Sequence, residues 1–135
     1  MSKMLLVNLP VQDLDKSTEF FRGLGFTPDP NASGPDSARL MIGDGCSVML
    51  HRTTAFQRYT NTPVTDTAAS REVIVGVSVD ERAEVDDLVD RAVAGGGTDL
   101  GPAQDDGFLY MRGFRDLDGH QWSFLHLDMS AFGIG

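Results

Sequence analysis

The chain contains two copies of one pattern, and this limits the folds open to it. Val7-Asn8-Leu9-Pro10-Val11-Gln12-Asp13 is echoed 68 residues later by Val75-Gly76-Val77-Ser78-Val79-Asp80-Glu81. Asp44-Gly45-Cys46-Ser47-Val48-Met49-Leu50 is echoed 74 residues later by Asp118-Gly119-His120-Gln121-Trp122-Ser123-Phe124. The first segment of each pair alternates apolar residues with the period of a half-buried strand and runs into a helical pattern. The unequal offsets place a short insertion inside the second half. With 135 residues there is enough chain for one core, and too little for two domains of ordinary size. The halves are therefore expected to share a core, with the function where they meet.

Local signals fill in each half. Residues 3–11 read as a strand, Asp13 as an N-cap, and the next helix buries Leu14, Phe20, Phe21 and Leu24 before Gly23 and Gly25 stop it. A short strand at 26–29 and a pair at 38–42 and 47–51, turning at Gly43-Asp44-Gly45, complete a βαβββ unit. Residues 53–70 read as a mobile connection with Phe56 and Tyr59 as its large anchors and a helical turn over 55–59. The second half has a strand at 72–80 and a helix from Glu81 with Val85, Leu88, Val89, Ala92 and Val93 on its buried face. Gly95-Gly96-Gly97 caps that helix, and a weak strand at 98–100 follows. A final hairpin, 107–114 with 120–127, turns at Asp116-Leu117-Asp118-Gly119. The expectation is an α+β fold of two βαβββ modules in one domain, 1–135. Module one spans 1–52, the connector 53–70, module two 71–128 and a tail 129–135.

A net charge of −9 disfavours nucleic-acid partners, whose binding rests on clustered Lys and Arg. No stretch approaches the ~20 consecutive apolar residues of a membrane span, and the first residues lack a signal core, so a cytoplasmic location is expected. The single cysteine, Cys46, excludes an intramolecular disulfide and a zinc–thiolate cluster.

Several motifs together resemble the vicinal oxygen chelate superfamily, which contains glyoxalase I, bleomycin-resistance proteins and extradiol dioxygenases. They are the paired βαβββ units, the helix start Asp13-Leu14-Asp15-Lys16-Ser17, the helix ending from Phe20 to Phe26, and Asp116-Leu117-Asp118-Gly119-His120 before the last strand. The chain is most similar to small bacterial proteins labelled predicted lactoylglutathione lyases. The resemblance implies a cup of two curved sheets, often completed by dimerisation, around a small molecule. It also implies that the metal ligands of the family's enzymes would fall on Leu6, Met49, Ile74 and Ser123, positions that the two repeat offsets pair with each other.

Leu6 and Ile74 offer no donor, Met49 a soft thioether and Ser123 a neutral hydroxyl, so no metal and no other cofactor is expected. Alternation places Asn8, Met49, His51 and Ser123 on the inner wall, and a tight hairpin would set Arg112 opposite Ser123 and Tyr110 opposite Leu125. A one-residue slip would turn both toward the helices. Asn8, Met49, His51, Tyr110, Arg112 and Ser123 are thus the candidate ligand-binding residues, with no catalytic residue assigned. Arg112 would meet an acid, either a ligand's or the protein's own. The expected function is binding of a small organic molecule, such as an aromatic or planar acid, by a homodimer without a metal centre. The alternative is a metal-dependent lyase or isomerase of the lactoylglutathione lyase type, with ligands recruited from His51 or a partner subunit. A third reading is metal-free acid–base catalysis by His51 with Tyr110.

Overall fold

In a computed structural model, which describes residues 3–128 and 130, the chain divides into two units, one up to Ser70 and one from Arg71. The tail expected at 129–135 lies outside the described residues except for Ser130. Both units are mixed α+β, with a twice-used plan of a parallel strand pair extended by antiparallel partners. Among the described residues no helix is long and apolar enough to cross a membrane.

The first unit runs β1 (Leu5–Val11), α1 (Leu14–Arg22), β2 (Thr27–Asp29), β3 (Ser37–Gly43), β4 (Cys46–Arg52) and α2 (Thr53–Thr60). Its sheet has the order β1-β4-β3-β2, with β1 parallel to β4. The side chain of Asp13 accepts from the Lys16 backbone N–H at 3.1 Å, capping α1. Leu14, Phe20, Phe21 and Leu24 are buried, against a sheet face made by Leu9, Val11, Leu40, Val48 and Leu50. Gly25 takes φ 88, a left-handed conformation that lets the chain leave the helix and start β2. The stretch expected to be a mobile connection opens with a full helix. α2 directly continues β4, buries Ala55, and packs on β4 and β1.

The second unit runs β5 (Ile74–Ser78), α3 (Arg82–Ala94), β6 (Thr98–Asp99), β7 (Gln104–Asp105), β8 (Leu109–Arg115) and β9 (Gln121–Leu127). The sheet order is β5-β9-β8-β6, β5 lies parallel to β9, and the unforeseen two-residue β7 also pairs with β8. Val85, Val89 and Ala92 of α3 are buried, as are Phe114, Trp122 and Phe124 beneath it. Val93, expected on that face, is exposed, because α3 turns it past the edge of the stripe.

The last hairpin differs from expectation by one residue. Gly119 adopts φ 82, its N–H donates to the Asp116 carbonyl at 3.1 Å, and the Asp116 N–H donates to the His120 carbonyl at 3.0 Å. This is a three-residue loop ending in a left-handed glycine, which shifts the pairing to Arg115 with Gln121 and Arg112 with Phe124. The Asp116 carboxylate fixes the turn by accepting from the backbone N–H groups of Asp118 and His120 and from the indole Nε1 of Trp122, each at 3.0 Å. Its burial nonetheless pushes its pKa up.

Candidate functional site

The ladder of the first sheet builds the site. Asn8 pairs with Met49 and Leu6 with Ser47 across β1 and β4, while Ser37 pairs with His51 and Arg39 with Met49 across β3 and β4. Neighbours in register share a face, so Leu6, Asn8, Ser37, Met49 and His51 stand on the side opposite α1. α2 brings Phe56, Tyr59 and Thr60 to that side, since three- and four-residue spacings share one face of a helix. These three close a cavity of about 620 Å³ with Leu6, Asn8, Met49 and His51. Its size lies within the ordinary range for small-molecule sites.

His51 organises the wall. Its Nδ1 lies 2.6 Å from the Ser37 hydroxyl and its Nε2 lies 2.8 Å from Asn8 Oδ1. The Asn8 amide nitrogen donates to the Leu6 carbonyl at 3.4 Å, which turns its oxygen toward His51. With an acceptor at Nε2, the neutral ring carries its proton there and takes the Ser37 hydroxyl hydrogen at Nδ1. Burial lowers the His51 pKa, favouring that neutral form. The Tyr59 ring stands edge-on to the imidazole at 5.4 Å between centroids, and Phe56 lies at 6.2 Å.

The donor set does not match the metal centre that the resemblance implies. In the first unit, Leu6 contributes hydrocarbon and Met49 a thioether, and both nitrogens of the adjacent His51 are already hydrogen-bonded. In the second unit, Ile74 is hydrocarbon on an exposed strand end and Ser123 a buried hydroxyl. Among the described residues no group of three His, Cys, Asp or Glu side chains stands close enough to hold an ion.

Two expected wall residues point the other way. With Arg112 paired to Phe124 and Tyr110 to His126, both share the face that carries Trp122 and packs against α3, so the expected pairings with Ser123 and Leu125 are corrected by one residue. Arg112 reaches Asp86 at 3.2 Å, Asp90 at 3.0 Å and Asp99 at 3.2 Å. Tyr110 donates to Asp86 at 2.8 Å, which raises the phenol's pKa, and carries Arg82 over its ring at 4.4 Å. These contacts tie β8 to α3. Ser123 does face away from α3, beside Gly76, where a Cβ would come within 3.3 Å of its hydroxyl.

The structure thus gathers Asn8, Met49 and His51 around one cavity of the first unit, while within the second unit Tyr110 and Arg112 face α3. Sequence reading missed Ser37 and Thr60 as parts of this neighbourhood. Ser37 has no motif and depends on the β3–β4 register. The helical turn expected over 55–59 is part of α2, which is longer, Thr53–Thr60, because the Thr- and Asn-rich surroundings hid its full extent.

The model of the Glyoxalase/Bleomycin resistance protein/Dioxygenase superfamily matches residues 3–124. A hypothetical protein from S. aureus is similar at 31% identity and a TM-score of 0.79, over 93% of this chain and 94% of that one. TioX from Micromonospora sp. ML1 is 30% identical with a TM-score of 0.60, over 94% and 99% of the two chains. A family enzyme from Burkholderia phytofirmans PsJN, at 17% identity, shares the fold with a TM-score of 0.78 over 93% and 99%. Comparison with curated proteins gives no match. The chain belongs to the glyoxalase/bleomycin resistance protein/dioxygenase superfamily.

Proposed function

We propose that this protein binds a small organic molecule in the cavity of its first unit, without a metal ion. The observation that supports the reading most is the cavity of about 620 Å³ whose wall combines Leu6, Met49 and Phe56 with the fixed polar pair Asn8 and His51. Apolar surface supplies affinity and a few oriented polar groups supply selectivity. His51 serves as a structural and recognition element, since both its nitrogens are engaged. The competing reading is a metal-dependent lyase of the lactoylglutathione lyase type, and one experiment separates the two. The full chain, dialysed against zinc, nickel, manganese and iron, should retain far less than one equivalent by elemental analysis, while a thermal-shift screen of small aromatic compounds should yield stabilisers. Close to one equivalent of bound metal would instead favour the lyase.

The active form in this reading is a homodimer in the cytoplasm with no nucleic-acid partner. Apolar residues exposed at the starts of two sheet-edge strands support self-association, Leu5 on β1 at 63% and Ile74 on β5 at 60%. Sedimentation equilibrium showing only monomer at micromolar concentration would reject the dimer. The net charge of −9 supports the exclusion of nucleic acid.

A further inference from the structure

We infer that the cavity selects an uncharged aromatic molecule carrying a carbonyl-type acceptor, and that the Asn8 amide N–H is the group that reads it. This rests on the proposed binding function and specifies its ligand. Among the described residues the cavity wall contains no Lys, Arg, Asp or Glu. Its imidazole, His51, is committed to Ser37 and Asn8 on its two nitrogens. Arg112, the cation expected to meet either an acidic ligand or one of the protein's own acids, faces three carboxylates of the second unit. The cation across the ladder from Met49, Arg39, is paired with Asp29 at 3.1 Å and donates to Ser47 at 3.1 Å. An anion entering the cavity would therefore lose water and gain no opposite charge, which is strongly unfavourable.

The polar preference follows from the same network. Asn8 Oδ1 is taken by His51, whereas its Nδ2 carries two hydrogens and makes only the long 3.4 Å contact with the Leu6 carbonyl. The amide thus has a hydrogen to donate, while its oxygen already serves His51. The aromatic preference comes from α2. Tyr59 is 76% exposed although one side of its ring meets His51, so a large aromatic surface stands open at the cavity beside Phe56. A planar ring stacked there would bury surface that the free protein leaves in water.

Three naphthalenes of one shape test this: 2-acetonaphthone, with an acceptor, 2-ethylnaphthalene, without one, and 2-naphthoate, an anion. Titration calorimetry is run on the full chain and on the variants Asn8→Leu and Asn8→Asp, the second keeping an oxygen for His51 while removing the N–H. Thermal unfolding identifies which variants are folded, and either one suffices. Acetonaphthone should bind at least about tenfold more tightly than naphthoate, and its affinity relative to ethylnaphthalene should fall about two- to tenfold in the variants. Naphthoate binding as tightly as acetonaphthone, or an unchanged ratio in a folded variant, would overturn the inference and leave the binding function standing. Absence of saturable binding by all three would overturn both.

Discussion

The two units use the same ladder to opposite chemical ends. Asn8 pairs with Met49 in the first, and their repeat partners Gly76 and Ser123 pair in the same register in the second. His51 opposite Ser37 has its counterpart in Leu125 opposite Met111. The polar cluster of the first open face, Asn8, Ser37 and His51, thus corresponds to Gly76, Met111 and Leu125. In the second unit the polar contacts have moved to the helix-facing side, where Tyr110 and Arg112 hold Asp86. A duplicated backbone fixes where side chains stand and leaves free which of those places carry chemistry. The open face of the first unit carries the polar cluster beside a cavity, and the second unit carries its polar contacts between β8 and α3.

Substitutions can break that contrast. The largest effect is expected for Trp122→Ala, which empties a fully buried site and leaves the Asp116 carboxylate without its indole donor. Denaturant unfolding should show a loss of about 3–5 kcal/mol. Next, Arg112→Gln should destabilise by about 2 kcal/mol, since the guanidinium is 13% exposed but its three acids are much more so. Affinity for 2-acetonaphthone should not change, and a loss of binding in a folded Arg112→Gln protein would return this residue to the site.

Acid should reveal the first unit's buried imidazole. Because burial depresses the His51 pKa below its ordinary 6.5, the unfolded chain takes up this proton more readily than the folded one. The corresponding stability is present above pH 6.5 and is lost as pH falls through that value toward the folded pKa. His51→Leu, which copies Leu125, should flatten the wild-type decline in unfolding free energy between pH 7.5 and 5.5, the two profiles being measured side by side. A decline of equal slope in both proteins would show that other groups cause it. The smallest effect is expected at Gly76→Ala. A strand glycine replaced by alanine gains about 0.5–1 kcal/mol, and here the new Cβ meets Leu125 and Ser123 at 3.3 Å, so the net change in unfolding free energy should stay within about 1 kcal/mol.

Much of this fold was legible in the chain because its signals are local. Alternating apolar residues mark β1 and β5, Asp13 caps α1, and glycines end α1 and α3. Alternation along β1 and β4, starting from the positions that the resemblance implies at Leu6 and Met49, put Asn8, Met49 and His51 on one face, and they line one cavity. Tyr110 and Arg112 were misplaced because their face depends on the conformation of one glycine, Gly119. Adding a residue to a turn flips every side chain on the strand relative to its partner.

The sequence by itself determined the α+β class and the duplicated strand plan, since these follow from short-range periodicity, and its motifs in their order carried the resemblance to the superfamily that the family model bears out. Only the tertiary structure decided that Ser37, His51 and Asn8 form one hydrogen-bonded chain, that α2 closes a cavity over them, and that Arg112 faces aspartates. Those outcomes depend on register and packing between segments distant in sequence, where a shift of one residue costs little locally and reverses the face on which a side chain acts.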